Sequence, residues 1–332
     1  MTPRVIFGQL RELDAETAAF AHQLGITGVH FNFAGADPGK GYWEVDEVAA
    51  LQRSCQEAGL TLEGIENVPH RCYDKVMTGQ PGREEQLENL QRTLRAVAAA
   101  DVPIFGYHFN PAMVWRTAMV PGRGGAQVSA FDLDDSIARG SILGPSTSYP
   151  ALTLGTQQMW DNYRYFADAI FPLAESLGLR LALHPDDPPV EWYGNVPHLF
   201  WRPENFAEAW EVAHRSPAWG LDLCLGTVSE MEGGAQAVDT MIDIFGPPGR
   251  IFYVHFRQVQ GTVPHFQECF IGEGNYDPVA VMRRLVDSGF DGFILDDHVP
   301  HMVGDPPDRP FRAHAHAVGY LQALVSATSA AR

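Results

Sequence analysis

The sequence is poor in positive charge and in cysteine, and each shortage excludes a class of protein. Its 332 residues include 23 Lys and Arg against 41 Asp and Glu, which gives a formal net charge of −18 and leaves no basic run. Nucleic acids and anionic membranes are bound through clustered Lys and Arg, so we expect neither partner. The four cysteines show no paired spacing and are too few for a disulfide scaffold in a chain of this length.

Long apolar runs are lacking as well. No stretch approaches the ~20 uncharged apolar residues that a transmembrane helix needs. The N-terminal sequence MTPRVIFGQLRELDAE also lacks the apolar core of a signal peptide. We therefore expect a cytoplasmic protein.

The sequence does contain a regular alternation of short β-rich runs and longer segments with helical periodicity. The predicted strands are 4–8, 28–33, 60–67, 104–109, 180–185, 219–226, 251–259 and 292–297. The predicted helices are 15–24, 43–58, 83–100, 158–177, 204–215, 235–244, 278–287 and 312–327. Eight βα units joined by right-handed crossovers are enough to close a parallel barrel. We predict one α/β domain, a (β/α)8 TIM barrel spanning 1–332.

Two features of the connections bear on this prediction. The alternative fold, a doubly wound open sheet, usually shows a G-x-G-x-x-G turn after its first strand, and FGQLRELD at 7–14 has none. The connection 111–156, between the fourth strand and its helix, is unusually long and shows little periodicity. Structureless connections of this length are usually functional. We therefore predict a lid or active-site loop at 111–156.

Metal-ligating residue types stand at the C-terminal ends of the last four predicted strands, where barrel enzymes build their sites. They are His184, Cys224, His255 and Asp297. A lone buried Cys or strand-end His is more often structural, but one such residue on each of four successive strands favours a shared site. Imidazole, thiolate and carboxylate together can hold a divalent metal with positions open for substrate. Residue types alone leave Zn²⁺, Mn²⁺, Co²⁺ and Fe²⁺ open.

Several motifs surround these four residues. They are HPDDPP at 184–189, ENVP at 66–69, YHFNP at 107–111 followed by WRT at 115–117, LCLGT at 223–227, VHFRQV at 254–259 and DDHVPHM at 296–302. Together they resemble the mannonate dehydratase family, within the xylose isomerase-like TIM-barrel superfamily. The resemblance implies a D-mannonate-type sugar acid as substrate, loss of water to give 2-dehydro-3-deoxy-D-gluconate, and Mn²⁺ bound by the residues that match the four strand-end ligands.

Some positions depart from the family pattern. Family members usually have Tyr-Asn-Phe where this chain has Tyr-His-Phe, with His108 in place of the asparagine. They usually have Pro-Asp-His-Gly where this chain has Asp-Asp-His-Val, with Asp296 in place of the proline and Val299 in place of the glycine. A tyrosine expected after the eighth strand has no clear counterpart. The turn GEGNYD at 272–277 instead resembles one common among sugar isomerases and epimerases. The substrate therefore stays open at this point.

The expected reaction removes a proton next to a carboxylate and expels the neighbouring hydroxyl. Imidazole titrates near neutrality and suits such proton transfers. The candidates for catalysis are His298, His108, Arg257 and Glu66. The candidates for substrate binding are Arg257, Arg116 and Asn110. Of these, each arginine can bind two oxygens at once through its guanidinium group.

Two other functions remain as alternatives. One is a xylose isomerase-like isomerase or epimerase acting on a neutral or oxidised sugar, and the other is a non-catalytic sugar-acid binding barrel. An acidic chain is a poor attractor of an anionic sugar acid, but a metal with Arg257 and Arg116 could invert the local field within roughly 8 Å. A mouth without such positive charge would favour the neutral sugar. We also expect a homo-oligomer.

Overall fold

The computed structural model describes residues 2–32, 39–139, 141, 153–193 and 195–329, and it confirms the TIM barrel. The barrel strands are, in order, Arg4–Val5 with Phe7–Leu10, Gly28–Asn32, Thr61–Glu66, Ile104–Tyr107, Arg180–Leu183, Trp219–Cys224, Ile251–His255 and Phe293–Leu295. All neighbouring pairs are parallel. The first strand is interrupted at Ile6, and its two halves pair with the eighth and the second strand, which closes the sheet.

Eight principal helices surround the barrel, one after each strand. They are Ala15–Gln23, Val45–Glu57, Arg83–Ala99, Thr156–Leu177, Pro203–Val212, Ala235–Phe245, Pro278–Asp287 and Phe311–Ser329. Side chains set several of their ends: Asp14 and Asp277 accept hydrogen bonds from the first free N–H groups of their helices. Gly178 ends the fourth principal helix in the left-handed conformation at φ 66°. The predicted helices agree with these within a few residues.

The long connection after the fourth strand contains more structure than its sequence predicts. Ala118–Pro121 and Gln127–Asp132 form a hairpin, which joins His265–Cys269 and Gln258–Thr262 in a four-stranded antiparallel sheet. The expectation of a structureless segment at 111–156 is therefore wrong for this hairpin. The run MVPGRGGAQV already carries a glycine turn between two short β-rich segments. Residues 140 and 142–152 of the predicted lid lie outside the described residues, as does Phe33.

The predicted seventh strand, 251–259, is two strands. Ile251–His255 belongs to the barrel, and Gln258–Thr262 belongs to the antiparallel sheet. The chain changes direction between them at Phe256 and Arg257, both of which are buried. This break places Arg257 between the barrel and the antiparallel sheet.

The barrel interior is apolar at one end and polar at the other. Ile6, Ile104, Ala182, Phe252 and Phe293 form one cluster inside the barrel, whereas buried histidines and carboxylates occupy the C-terminal ends of the strands. A side chain at Gly106 would collide with Tyr253 and Glu66, so the polar layer depends on glycine there. Within the part of the chain that the structure describes, no helix has the length and apolar character to cross a membrane.

Candidate active site

The structure brings the four predicted ligands together at the C-terminal end of the barrel. Ligand atoms of His184, Cys224 and His255 all lie within 4.8 Å of one another. Asp297 completes the group, with Oδ2 3.7 Å from Sγ of Cys224 and Oδ1 3.9 Å from Nδ1 of His255. All four residues are buried. Asp297 adopts φ 58°, a conformation that is unusual for a residue other than glycine.

The donor atoms of this group suit a divalent cation. Nδ1 of His184 hydrogen-bonds the carbonyl of Pro185 at 2.6 Å, which leaves Nε2 as the donor. Nδ1 of His255 has no hydrogen-bond partner. Burial lowers the pKa of His184 to about 3, so its imidazole stays neutral and able to bind metal. Burial also raises the pKa of Cys224 well above its ordinary value, and a bound cation would favour the thiolate instead.

A cavity of about 270 Å³ opens beside the ligand group. His184, Asp297 and His298 line it on the metal side. Amide side chains of the early barrel strands and the turns after them also line it, and these are Gln9, Asn32, Asn67 and Asn110. Amides both donate and accept hydrogen bonds, so this wall can bind the hydroxyl groups of a polyol chain.

Glu66 and His108 form a hydrogen-bonded pair at the edge of this cavity. Nε2 of His108 lies 2.8 Å from Oε1 of Glu66, and the two imidazoles of His108 and His184 stack with centroids 4.1 Å apart. Burial acts to raise the pKa of Glu66, but the hydrogen bond from His108 and the nearby His255 hold it below its ordinary value. Glu66 is therefore a carboxylate that fixes the orientation of His108.

His298 lines the cavity beside Asp297, with 42% of its side chain exposed. Its Nδ1 lies 2.8 Å from Oε1 of Glu268 and its Nε2 lies 3.6 Å from Oδ1 of Asp297. Desolvation lowers the pKa of His298, but the two carboxylates outweigh it and raise the pKa to about 9. The two carboxylates therefore favour the protonated imidazole, which can donate a proton into the cavity.

The structure does not place the two predicted guanidinium clamps in the cavity. Arg116 and Arg257 are 0% and 2% exposed. Arg116 binds Asp187 bidentately and also Glu268. Arg257 donates to Asp297 at 3.0 Å, to Asp187 at 3.2 Å and to Glu230 at 2.8 Å. Both donor sets are taken up by carboxylates, so this geometry corrects the prediction that these arginines bind substrate oxygens.

Asn110 has a structural task as well as its place in the cavity wall. Its Oδ1 accepts from the N–H of Ala112 at 2.9 Å, and its Nδ2 donates to the carbonyl of Met113 at 3.2 Å. The described cavity wall also includes Arg11, just after the first strand. Sequence reasoning missed Arg11 and the amides of the first three strands, although the rule that sites form at strand ends would have found them.

Asp222 is a second omission from the sequence analysis. It lies two residues before Cys224 on the sixth strand, is fully buried, and its Oδ1 is 3.5 Å from Nδ1 of His255. Burial raises the pKa of its carboxyl well above the ordinary value. The alternation of side chains along a strand puts Asp222 and Cys224 on the same face, which was the available signal.

Fold and ligand group together define a TIM barrel with the xylose isomerase-like fold and a group of side chains that could hold a divalent metal. Within that class the sequence is specific. The profile of the D-mannonate dehydratase (UxuA) family matches residues 7–139 and 149–332. The chain therefore belongs to the D-mannonate dehydratase family.

Individual relatives agree with this assignment. Mannonate dehydratase 2 of Halalkalibacterium halodurans is 29% identical over 313 residues, which cover 87% of this chain and 89% of that protein. Mannonate dehydratase of Thermotoga neapolitana is 26% identical, with 92% and 91% covered. The crystal structure of mannonate dehydratase from Streptococcus suis serotype 2 superposes with a TM-score of 0.87 at 25% identity, covering 99% and 94%. A structure of L-ribulose 3-epimerase, at 14% identity and a TM-score of 0.61 over 99% and 96%, shares the fold.

Proposed function

We propose that this single-domain barrel is a hydro-lyase that dehydrates a D-mannonate-type aldonic acid to a 2-keto-3-deoxy acid, here 2-dehydro-3-deoxy-D-gluconate. One observation carries the proposal: the ligand group of a D-mannonate dehydratase family member adjoins a cavity that two histidines, His108 and His298, also line. The reaction removes the proton on C2 and the hydroxyl on C3. The enol that forms then takes up a proton on C3 and becomes the ketone.

The cation would be held by His184, Cys224, His255 and Asp297. We propose Mn²⁺, which tolerates nitrogen and carboxylate ligands with open positions. When bound, the cation supplies Lewis-acid stabilisation of the negative charge that develops on the substrate carboxylate as C2 loses its proton.

The two histidines beside the cavity divide the proton transfers. Glu66 holds the Nε2–H of His108, so that Nδ1 of His108 is left as a base for the proton on C2. His298, kept protonated by Asp297 and Glu268, donates a proton to the departing hydroxyl, which leaves as water. Both histidines line the same cavity, and elimination across two adjacent carbons requires one base and one acid.

Substrate binding is assigned to the amide wall and to Arg11. Asn67 carries a buried Oδ1 without a hydrogen-bond partner, and Asn32 and Gln9 are joined to each other at 2.9 Å. A six-carbon aldonic acid has three hydroxyl groups beyond the reacting carbons C2 and C3, and these offer matching donors and acceptors. Arg11 supplies the positive charge that Arg116 and Arg257 do not bring to the cavity.

One observation favours a second candidate, an isomerase or epimerase acting on a neutral sugar. Buried carboxylates neutralise both predicted guanidinium clamps. The barrel mouth therefore has little positive charge with which to attract an anionic substrate. The same cation and the same base could then move a proton between carbons without loss of water.

A substrate screen distinguishes the two candidates. Mn²⁺-loaded protein is incubated with a panel of aldonic acids and neutral ketoses, and each reaction is assayed for a product that absorbs with thiobarbiturate and for solvent isotope exchange. The dehydratase produces the thiobarbiturate-reactive keto acid from an aldonate. Isotope exchange into a ketose without loss of water would overturn it in favour of the isomerase.

A further inference from the structure

The sulfur of Cys224 receives hydrogen bonds that the proposed reaction does not use. The backbone N–H and the hydroxyl of Thr227 lie 3.4 Å and 3.2 Å from Sγ of Cys224. The same hydroxyl is 3.4 Å from Oδ2 of Asp187, which is long for a hydrogen bond between two oxygens. A hydroxyl has a single proton to donate, so this proton is directed to the sulfur.

Arg257 sets the direction of the Thr227 hydroxyl. Its Nη2 donates to Oγ1 of Thr227 at 3.0 Å and lies 3.5 Å from the sulfur itself. A guanidinium nitrogen can only donate, so Thr227 accepts from Arg257 and keeps its own proton for Cys224. Through Nε, Arg257 also donates to Asp297 at 3.0 Å. One arginine therefore contacts both anionic members of the proposed ligand set and orients the hydroxyl that binds one of them.

The turn after Cys224 is shaped to admit this guanidinium. A side chain at Gly226 would place its first carbon 2.5 Å from the guanidinium carbon of Arg257, so the guanidinium could not keep its position beside any other residue. Glu230, at the end of the same short helix, accepts from Nη1 of Arg257 at 2.8 Å. Arg257 and Thr227 are both buried. The hydrogen bonds to the sulfur are therefore fixed in place and shielded from water.

Hydrogen bonds to a metal-bound sulfur change how the sulfur binds the metal. They draw electron density from the thiolate and weaken its donation to the cation, which tunes the metal site. An unmodified thiolate favours soft or borderline cations such as Zn²⁺, and the usual order of affinities also places Zn²⁺ above Mn²⁺. A weakened thiolate reduces this advantage and leaves imidazole and carboxylate ligands, which Mn²⁺ accepts.

We propose that Thr227, held in place by Arg257, is a specificity-determining residue for the metal. Its hydroxyl weakens Cys224 as a donor and so shifts the preference of the site from Zn²⁺ toward Mn²⁺. The proposal rests on the cation site of the proposed function and not on its reaction.

Removal of the hydroxyl tests the proposal. Apo-protein is loaded with Co²⁺, and the sulfur-to-cobalt charge-transfer band is recorded in the near ultraviolet. In Thr227→Val the band should move to longer wavelength, because a sulfur without this hydrogen bond gives up electron density more easily, and in Thr227→Ser it should return. Ser229→Ala is the matched control and should keep the wild-type band, since the buried Ser229 hydroxyl lies on the same short helix but donates to the carbonyl of Gly226 at 2.9 Å.

The metal preference is measured by competition. The affinities for Zn²⁺ and for Mn²⁺ are each determined against a chelator of known affinity. The ratio of the Zn²⁺ affinity to the Mn²⁺ affinity should rise about tenfold in Thr227→Val, at the lower end of the ~10–100-fold effects of residues that support a metal ligand. It should keep the wild-type value in Thr227→Ser and Ser229→Ala. A role of Thr227 in folding alone would change both affinities together and leave their ratio unaltered.

An unchanged band or an unchanged affinity ratio in Thr227→Val would overturn the proposal, as would equal changes in Ser229→Ala. Circular dichroism and a thermal melt establish whether Thr227→Val is folded, and if it is not, the smaller Thr227→Ala takes its place. A wild-type protein without a sulfur-to-cobalt band would show that Cys224 is not a ligand, and the cation site of the proposed function would then fail as well. A band that is present but insensitive to the change at Thr227 would remove the role of Thr227 alone.

Discussion

The sulfur of Cys224 lies 3.7 Å from Oδ2 of Asp297, although 73 residues separate them. Consecutive strands of a parallel barrel bring their C-terminal ends to one circle, and these two residues end the sixth strand and follow the eighth. The thiol also accepts hydrogen bonds from Thr227, through its backbone N–H at 3.4 Å and its hydroxyl at 3.2 Å. These contacts hold the sulfur in place before any cation is bound.

Replacing this sulfur should remove a cation. Cys224→Ala should lose the cation that His184 and Asp297 share with the thiolate, with its affinity reduced by more than the ~10–100-fold typical of a residue that only supports a ligand. Elemental analysis should find one equivalent fewer per chain than in the wild type. Cys55→Ala is the matched control, because Cys55 is a buried cysteine of the second helix. Wild-type metal content in Cys224→Ala would contradict the ligand assignment.

The pair formed by Glu66 and His108 gives a kinetic prediction. His108→Ala should lower kcat by about 10²–10⁴-fold, the usual contribution of general acid–base catalysis, with a smaller change in KM. Because Glu66 acts on the proton transfer through His108, adding Glu66→Gln to His108→Ala should cost much less than Glu66→Gln alone. His316→Ala, on the last helix against Phe270, should match the wild type. If Glu66→Gln lowers kcat by the same factor with and without the change at His108, the two residues act independently and the prediction is wrong.

A buried network of opposite charges predicts how stability depends on pH. Its cations are Arg116, Arg257 and His298, and its carboxylates are Asp187, Glu230, Glu268 and Asp297. The carboxylates outnumber the cations by one. Burial and the neighbouring Asp187 raise the pKa of Glu230 to about 8, against the pull of the two arginines. We expect Glu230 to hold the extra proton.

Between about pH 4.5 and pH 8 the folded protein then binds one proton more than the unfolded chain, in which Glu230 ionises near its ordinary pKa. Stability should therefore fall as pH rises through this window. Glu230→Gln imitates the protonated acid, so its loss of stability between pH 5 and pH 8 should be smaller than that of the wild type in denaturant melts. Glu268→Gln, which removes a carboxylate whose pKa lies well below its ordinary value, should be destabilised throughout. Parallel pH profiles for the wild type and Glu230→Gln would exclude this account.

The strand-end rule explains how far the sequence could go. It located His184, Cys224, His255 and Asp297 because each barrel strand ends at the same edge of the sheet. The structure groups the first three and puts Asp297 against Cys224 and His255. The same rule, applied to the first three strands, would have added Gln9, Asn32 and Asn67.

The roles of the arginines could not be read from the sequence. A guanidinium that follows a strand can face the cavity or the protein, and the choice depends on carboxylates that are distant in the chain. Arg116 meets Glu268 across 152 residues and Asp187 across 71. The hairpin at 118–132 could not be predicted for a related reason. It pairs with His265–Cys269, a strand in the loop after the seventh barrel strand, which is distant in the sequence.

Arg116 should matter for stability and not for substrate affinity. Arg116→Gln leaves Asp187 and Glu268 buried without their partner, and breaking a buried ion pair from one side costs about 3–5 kcal/mol. The thermal midpoint should fall by several degrees while KM for the aldonate, measured well below that midpoint, stays near the wild-type value. An unchanged thermal midpoint together with a raised KM would instead support the prediction from the sequence that Arg116 binds substrate oxygens.

Arg11 is the residue whose loss should weaken binding of an anionic substrate. It lines both the cavity of about 270 Å³ and an adjoining one of about 610 Å³, so its positive charge lies close to any anion bound in either. Arg11→Gln should raise KM for an aldonate by about tenfold, equivalent to 1.4 kcal/mol, with kcat nearly unchanged. Salt screens the attraction between a solvent-exposed arginine and an anionic substrate. Raising the salt concentration should therefore raise KM in the wild type and much less in the variant. Arg309→Gln is the matched control, since Arg309 lines the adjoining cavity but not the cavity of about 270 Å³. A KM that rises for Arg309→Gln and not for Arg11→Gln would place the anion elsewhere. A KM for neutral ketoses that is unaffected by either change fits the electrostatic origin of the effect.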